Sequence, residues 1–231
     1  MTKLSGNGYE KLQAKIDLHV HSRYSYDSII TPKELEFYAN KRGLEGVAIT
    51  DHDRLDGALR TAKEVNLFIV PGMEISSADG HIIALYVKEP IPKGLSADET
   101  VERIHDACGL AVACHPSGFF KQSLRKHTNS KFDAVEVINA SAVPFGFSTN
   151  RARQLATRLN LGQVGGTDAH YGPEIGHAYT VINSDLSPDR VIEAIRKRMC
   201  HAAGKPIPWR LRVEGQLQKR IKRLRFQNRR T

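Results

Sequence analysis

The amino-acid sequence predicts an α/β fold, a compact or incomplete (β/α) barrel followed by a basic extension, on three observations. Short apolar and β-branched runs alternate with amphipathic stretches of helical period, the pattern of parallel strands joined by crossover helices. Eight such runs fall within about 190 residues, which suits a small barrel better than a sandwich, with a doubly wound sheet as the runner-up. Histidines and carboxylates recur just after these runs, at the end where a parallel barrel builds its mouth.

The strands are expected at 15–19, 46–50, 67–71, 82–87, 110–114, 134–138, 162–166 and 179–182. Helices are expected between them at 32–41, 55–64, 97–107, 149–160 and 188–199. The third has the clearest ends, because Ser96 and Glu99 form a capping box and Gly109 marks the stop. Lys205-Pro206-Ile207-Pro208 would halt a preceding helix and marks the boundary between a body at 1–204 and an extension at 205–231.

Hydrophobic residues make up 40% of the chain and charged residues 26%, which excludes global disorder. The net charge is +9, and the extension carries ten Lys and Arg against the single acid Glu214, leaving 24 residues of each sign in the body. The body is therefore formally neutral and the excess charge belongs to the extension. Residues 1–10 lack the apolar core of a signal peptide, and no uncharged apolar run reaches the roughly 18 residues of a membrane span, so the expected compartment is the cytoplasm. Cys108, Cys114 and Cys200 have no paired metal-ligand spacing and are expected to be buried, reduced thiols.

His19-Val20-His21 follows the first strand, and residues two apart in extended chain point to the same side, so both imidazoles can reach one metal ion. The second strand ends in Thr50-Asp51-His52-Asp53, the third leads to Gly72-Met73-Glu74, the fifth to His115-Pro116 and the seventh to Asp168-Ala169-His170. Asp27 lies shortly beyond the first pair. His81 opens the fourth strand rather than closing it, so its place at the mouth depends on the loop at Asp79-Gly80. Any one of these residues alone reads as a cap or a satisfied polar group; their recurrence at five strand ends points to a multinuclear metal site.

Asp17-Leu18-His19-Val20-His21-Ser22, Thr50-Asp51-His52-Asp53, Gly72-Met73-Glu74-Ile75-Ser76, His115-Pro116 and Gly166-Thr167-Asp168-Ala169-His170 resemble the polymerase and histidinol phosphatase (PHP) family, in order and over residues 16–182. The resemblance implies a distorted (β/α)7 barrel with two or three divalent metal ions. By position, His19, His21, Glu74 and Asp168 would hold the first, Glu74 would bridge to a second held by His81 and His115, and Asp27, His52 and His170 would hold the third. Some members carry histidine where this chain has Asp27, and a harder oxygen ligand moves preference from zinc toward manganese or iron.

Ions a few ångströms apart polarise a phosphoryl group and acidify a bridging water, so the implied activity is hydrolysis of phosphate esters with a metal-bridging hydroxide as nucleophile. No Gly-x-Ser-x-Gly elbow or Walker A loop is present. Asp17, Asp51 and Asp53 read as supports for the ligands, with Asp51 also a candidate proton donor. Arg23, Lys121 and Arg125 are candidate contacts to a substrate phosphate. Glu136 lies within a strand, either touching the site or pairing with a base, and His105, His127, His177 and His201 read as structural.

The substrate is expected to be a nucleotide, a nucleic acid end or a small phosphate monoester, with histidinol phosphate as an alternative. Another alternative is a catalytically silent module that binds nucleic acid or a protein through the extension. A hydrolase of carbon–nitrogen bonds on a similar barrel fits less well, given Glu74 and His115-Pro116. Residues 212–230 can form a basic helix with Val213, Leu217, Ile221 and Leu224 on one stripe, whose partner is the barrel itself, nucleic acid or an anionic membrane surface.

Overall fold

β1 (Ala14–Val20), β2 (Gly46–Ile49) and the start of β3 (Phe68–Ser77) pair in parallel. Both faces of β1 are buried, as a central strand between two apolar layers requires. The computed structural model describes residues 13–119, 121–183 and 186–227, with side chains up to Lys222. The polar start at 1–10 and Leu224 of the expected stripe lie outside that description.

β4 (Gly80–Leu85) folds back antiparallel on β3, with Ser77 opposite Gly80 and only Ala78 and Asp79 between them. Gly80 has φ 140°, and a Cβ there would sit 2.8 Å from the Leu124 backbone nitrogen, so glycine is needed to close this turn. β5 (Leu110–Ala113) pairs antiparallel with β4, and β6 (Ala134–Asn139) and β7 (Gly162–Gly166) continue in parallel. β8 (Ala178–Ile182) and β9 (Cys200–Gly204) add antiparallel strands beside β1. The order β7-β6-β5-β4-β3-β2-β1-β8-β9 makes a nearly closed, barrel-shaped sheet of nine strands.

The distorted barrel agrees with the expectation, and its distortion comes from the antiparallel pairings of β4 and β8 with their neighbours. β9 has no counterpart among the expected strands because Cys200-His201-Ala202-Ala203-Gly204 contains no β-branched or aromatic residue. At the seam, the Gly165 N–H donates to Thr180 Oγ1 at 2.8 Å and the Asp168 N–H donates to the His19 carbonyl at 2.7 Å. The segment after β7 is thereby drawn onto the end of β1.

Helices α1 (Pro32–Lys41), α2 (Asp56–Thr61), α3 (Ala97–Asp106), α4 (Phe145–Leu159) and α5 (Pro188–Arg196) join the strands. Thr31 with Glu34 and Ser96 with Glu99 form capping boxes that start α1 and α3. One core cluster lies between the strands and α1, α3 and α4, through residues such as Leu35, Ile104 and Ala156. A second joins Ile16, Leu18, Val70 and Val112 to Val191 and Ile195 of α5. No helix among the described residues is long and apolar enough to cross a membrane.

α6 (Trp209–Gln227) begins earlier than the expected helix and docks through a different face. Arg212 donates to the carbonyls of Ala140 and Ser141, each at 2.8 Å, and Gly215 is buried against Tyr171. The stripe of Val213, Leu217 and Ile221 faces away from the barrel, 50%, 53% and 42% exposed. The carbonyls at 140, 141 and 207, of which the first also accepts the Ile207 N–H, are better satisfied by the Arg212 fork than by an apolar stripe.

The thiols correct one expectation, since Cys108 is exposed while Cys114 is buried and Cys200 half-buried. Cys108 follows the C-cap of α3 in the left-handed region at φ 59°. Burial raises the Cys114 thiol well above its ordinary value and pushes Cys200 up to about 11. Because the thiolate is the reacting species, a native titration with a disulfide reagent at pH 8 is expected to find one fast thiol, rising to three on denaturation. Two or more fast thiols in the native protein would contradict this packing.

Candidate metal centre

Four side chains converge at the barrel mouth with ring and carboxylate atoms almost in contact. His19 Nε2 lies 3.2 Å from His21 Nε2 and 3.3 Å from Glu74 Oε2, and His21 Nε2 lies 3.1 Å from that same oxygen. Asp168 Oδ1 is 3.5 Å from His19 Nε2 and 3.4 Å from His21 Nε2. Separations of this size are the edges of a tetrahedron whose corners lie roughly 2.0–2.1 Å from its centre, the ligand distance of a small divalent ion. The residues therefore fit a metal.

Glu74 has a second set of neighbours on its other oxygen. Oε1 is 2.7 Å from His81 Nδ1 and 3.0 Å from His115 Nε2, and the Cys114 thiol donates to it at 3.4 Å. His81 reaches the mouth because the β3–β4 hairpin reverses there, which places it opposite Ser76. The extended hairpin also puts Glu74 inside β3 rather than after it. A third group joins Asp27 Oδ2 to His170 Nε2 at 2.9 Å and to His52 Nε2 at 3.4 Å, with His21 alongside. All nine expected ligand residues are thus brought together.

The supporting contacts are set largely by Glu136, whose role the sequence left open. The His19 Nδ1–H donates to Glu136 Oε1 at 2.9 Å, which leaves Nε2 as the free face of that ring. Glu136 Oε2 accepts from the His115 N–H at 2.8 Å and from Asn139 Nδ2 at 2.9 Å. A single buried carboxylate thus orients ligands from β1 and from the end of β5. Glu136→Gln is expected to weaken metal binding about 10- to 100-fold. Titration against a chromogenic chelator reads this, and an unchanged affinity would reduce Glu136 to a packing residue.

Asp17, Asp51 and Asp53 brace the backbone rather than the imidazoles. Asp17 accepts from the Thr167 and Gly176 N–H groups, tying β1 to the loop after β7. Asp51 accepts from the Ser22 N–H at 2.6 Å and its hydroxyl at 2.7 Å, and Asp53 accepts from the Ser76 N–H. Of the expected substrate contacts, Lys121 has its ammonium against Asp168, Arg125 lines a cleft beside the cluster, and Arg23 pairs with Glu64 on the exposed surface. His105 pairs with Asp133, and His177 contacts the Glu174 carbonyl, both apart from the cluster.

The electrostatics favour ionised ligands. Burial works to raise Glu74, but His19 and the imidazole contacts of His115 and His21 outweigh it and hold the carboxyl well below the usual range. Asp168 follows the same logic, with burial opposed chiefly by Lys121 and His19. Burial lowers His19, yet Asp168, Glu136 and Glu74 raise it further, so its net shift is well upward. A concentration of buried negative charge among ring nitrogens is the environment a divalent cation neutralises.

Fold and site together define the class of protein, a distorted α/β barrel with a cluster of potential metal-holding side chains at its mouth. The chain belongs to the PHP family: the PHP domain model matches residues 17–138 and the PHP-associated model residues 147–200. An uncharacterized protein of Methanocaldococcus jannaschii is 40% identical over 140 residues, covering 54% of this chain and 82% of that one. The 5'-3' exoribonuclease of Haemophilus influenzae is 38% identical over 86 residues, covering 34% of this chain and 31% of its own. Among solved structures, a two-domain protein of Bacteroides vulgatus containing a predicted PHP-like metal-dependent phosphoesterase superposes with a TM-score of 0.69 at 18% identity. That match covers 84% of this chain and 65% of the other, so this chain spans somewhat less than two thirds of that protein.

Proposed function

We propose that this chain hydrolyses nucleotides, nucleic acid ends or small phosphate monoesters at the nine-residue cluster, and the observation that carries the reading is the doubly used carboxylate of Glu74. Its Oε2 faces His19 and His21 while its Oε1 faces His81 and His115, the arrangement of a bridge between adjacent ions. His19, His21, Glu74 and Asp168 would hold one ion, Glu74, His81 and His115 a second, and Asp27, His52 and His170 a third. When bound, such ions polarise phosphoryl oxygens and make a water acidic enough to attack near neutral pH.

The protein's own groups do the rest. Lys121, at the rim and against Asp168, is placed to meet a phosphoryl oxygen or to give a proton to the leaving oxygen. Asp51 is the other candidate donor, but both its oxygens are occupied by Ser22, so its proposed part is to hold the turn after His21. Asp27 supplies a hard ligand and inclines the site toward manganese or iron. The exposed bases of α6, Arg210 and Arg220 among them, offer a further contact to a polyanionic substrate.

The test is elemental analysis of the purified chain beside a manganese-supplemented screen of p-nitrophenyl phosphate, nucleotides, histidinol phosphate and short oligonucleotides. Two or three ions per chain with release of phosphate or nucleotide is the expected result. A chain with no bound metal and no turnover sinks the reading.

A further inference from the structure

A cleft of about 1250 Å³ opens beside the cluster, between residues 116–119 and 121–127, which follow β5, and one face of α4. It exceeds the roughly 300–1,000 Å³ of sites that enclose a drug-sized ligand, far beyond what a lone phosphate group needs. Lys121 belongs to its lining and also touches Asp168, so one side chain links the wall of the cleft to the candidate metal centre.

Two features of its wall stand apart from the rest of the surface. Phe119 on the loop and Phe147 on α4 lie with ring centroids 5.1 Å apart, yet remain 54% and 43% exposed. Around them are Arg125, Lys126, Arg151 and Arg158, none with a carboxylate partner among the described residues, and Arg151 sits 5.5 Å over the Phe147 ring. The only acid in the lining among the described residues, Asp79, lies 3.4 Å from His127.

The spacing also matters. Phe147, Arg151 and Arg158 fall on one face of α4, at intervals of four and seven residues. At about 1.5 Å rise per residue the two arginines stand roughly 10 Å apart, too far for one phosphate and suited to successive ones. Half-exposed aromatic rings among unpaired bases are the composition of grooves that bind single strands, where unstacked bases lie on the rings and phosphates on the bases.

We propose that this cleft binds a single-stranded oligonucleotide, with bases stacked on Phe119 and Phe147 and the backbone running past Arg158 and Arg151 toward Lys121. The proposal deepens the phosphoesterase reading and rests on it only for where the scissile ester lies. It makes the preferred substrate a strand of several nucleotides rather than a mononucleotide or a sugar phosphate. A duplex would keep its bases stacked on one another and leave the two rings uncovered.

The test is fluorescence anisotropy at 4 °C with the full chain as purified and a fluorescein-labelled thymidine decamer, its duplex with a complementary strand, and a labelled mononucleotide. The wild-type protein is expected to bind the single strand at least about tenfold more tightly than the other two. Phe119→Ala with Phe147→Ala should weaken binding about tenfold or more. Arg151→Gln with Arg158→Gln should flatten the slope of log affinity against log salt by about 1.4, two phosphate contacts' worth. Circular dichroism and melting temperature confirm that each pair still folds.

Affinity for the decamer unchanged in both double variants, equal affinity for the mononucleotide, or no binding by wild type overturns the proposal. Failure of the phosphoesterase reading shows separately, as absence of p-nitrophenyl phosphate hydrolysis by the manganese-loaded protein, because anisotropy requires no turnover.

Discussion

Glu74→Gln is expected to lower turnover of any phosphate ester by about 1000-fold, ~4 kcal/mol of transition-state stabilisation, and to reduce the bound metal by at least one ion per chain. The side chain is 1% exposed and its two oxygens serve separate sets of imidazoles. Glutamine keeps the volume, so no cavity opens and the barrel should hold. Its amide has no anionic oxygen pair and turns N–H donors toward ring nitrogens that already face inward. Metal content and kcat measured on the same preparation decide the matter. A variant with unchanged metal and near wild-type kcat would remove Glu74 from the centre of the site.

Stripping the metal should lower the melting temperature by about 10 °C. An ion present at a thousand times its dissociation constant stabilises the folded chain by ~4 kcal/mol, and each kcal/mol moves the midpoint of a domain this size by roughly 2–4 °C. The physical source is the buried charge at the mouth, where Glu74, Asp168 and Glu136 crowd the same imidazoles. Without ions the compensating charge must come from protonated rings, chiefly His19, whose folded pKa lies well above the ordinary 6.5. A raised folded pKa contributes stability that is complete below the unfolded value and lost as pH rises through the folded one.

The chelated protein should therefore weaken as pH climbs above about 6.5, and the gap between loaded and stripped forms should widen, since metal competes with protons for the same nitrogens. Calorimetry with and without chelator across that range reads both effects. Equal melting temperatures throughout would mean that the cluster holds no ion with useful affinity.

The course of the chain was legible wherever local pattern and burial agree. α1 has the expected bounds and the Ser96–Glu99 box starts α3, because caps act over a few residues; β7 has the expected bounds too, with Val164 as its one β-branched residue. The nine candidate ligand positions could be named for a similar reason: polar residues of these types at or near strand ends have few other uses in such number.

Strand direction, in contrast, is decided by what each strand pairs with, and no single segment contains that information. Only the antiparallel return of β4 brings His81 to the mouth, and only the β1–β8–β9 arrangement reveals β9, whose own residues have little strand character. Glu136 is read as a support for His19 only once 117 residues of separation are closed to 2.9 Å. The pairing of Phe119 with Phe147 and the outward turn of the α6 stripe are of the same kind. The sequence by itself determined the class of fold and the inventory of candidate ligands, because periodicity, capping and residue chemistry are local. The tertiary structure alone decided which atoms share an ion's space and which surfaces remain free for a substrate, because both depend on packing between distant segments.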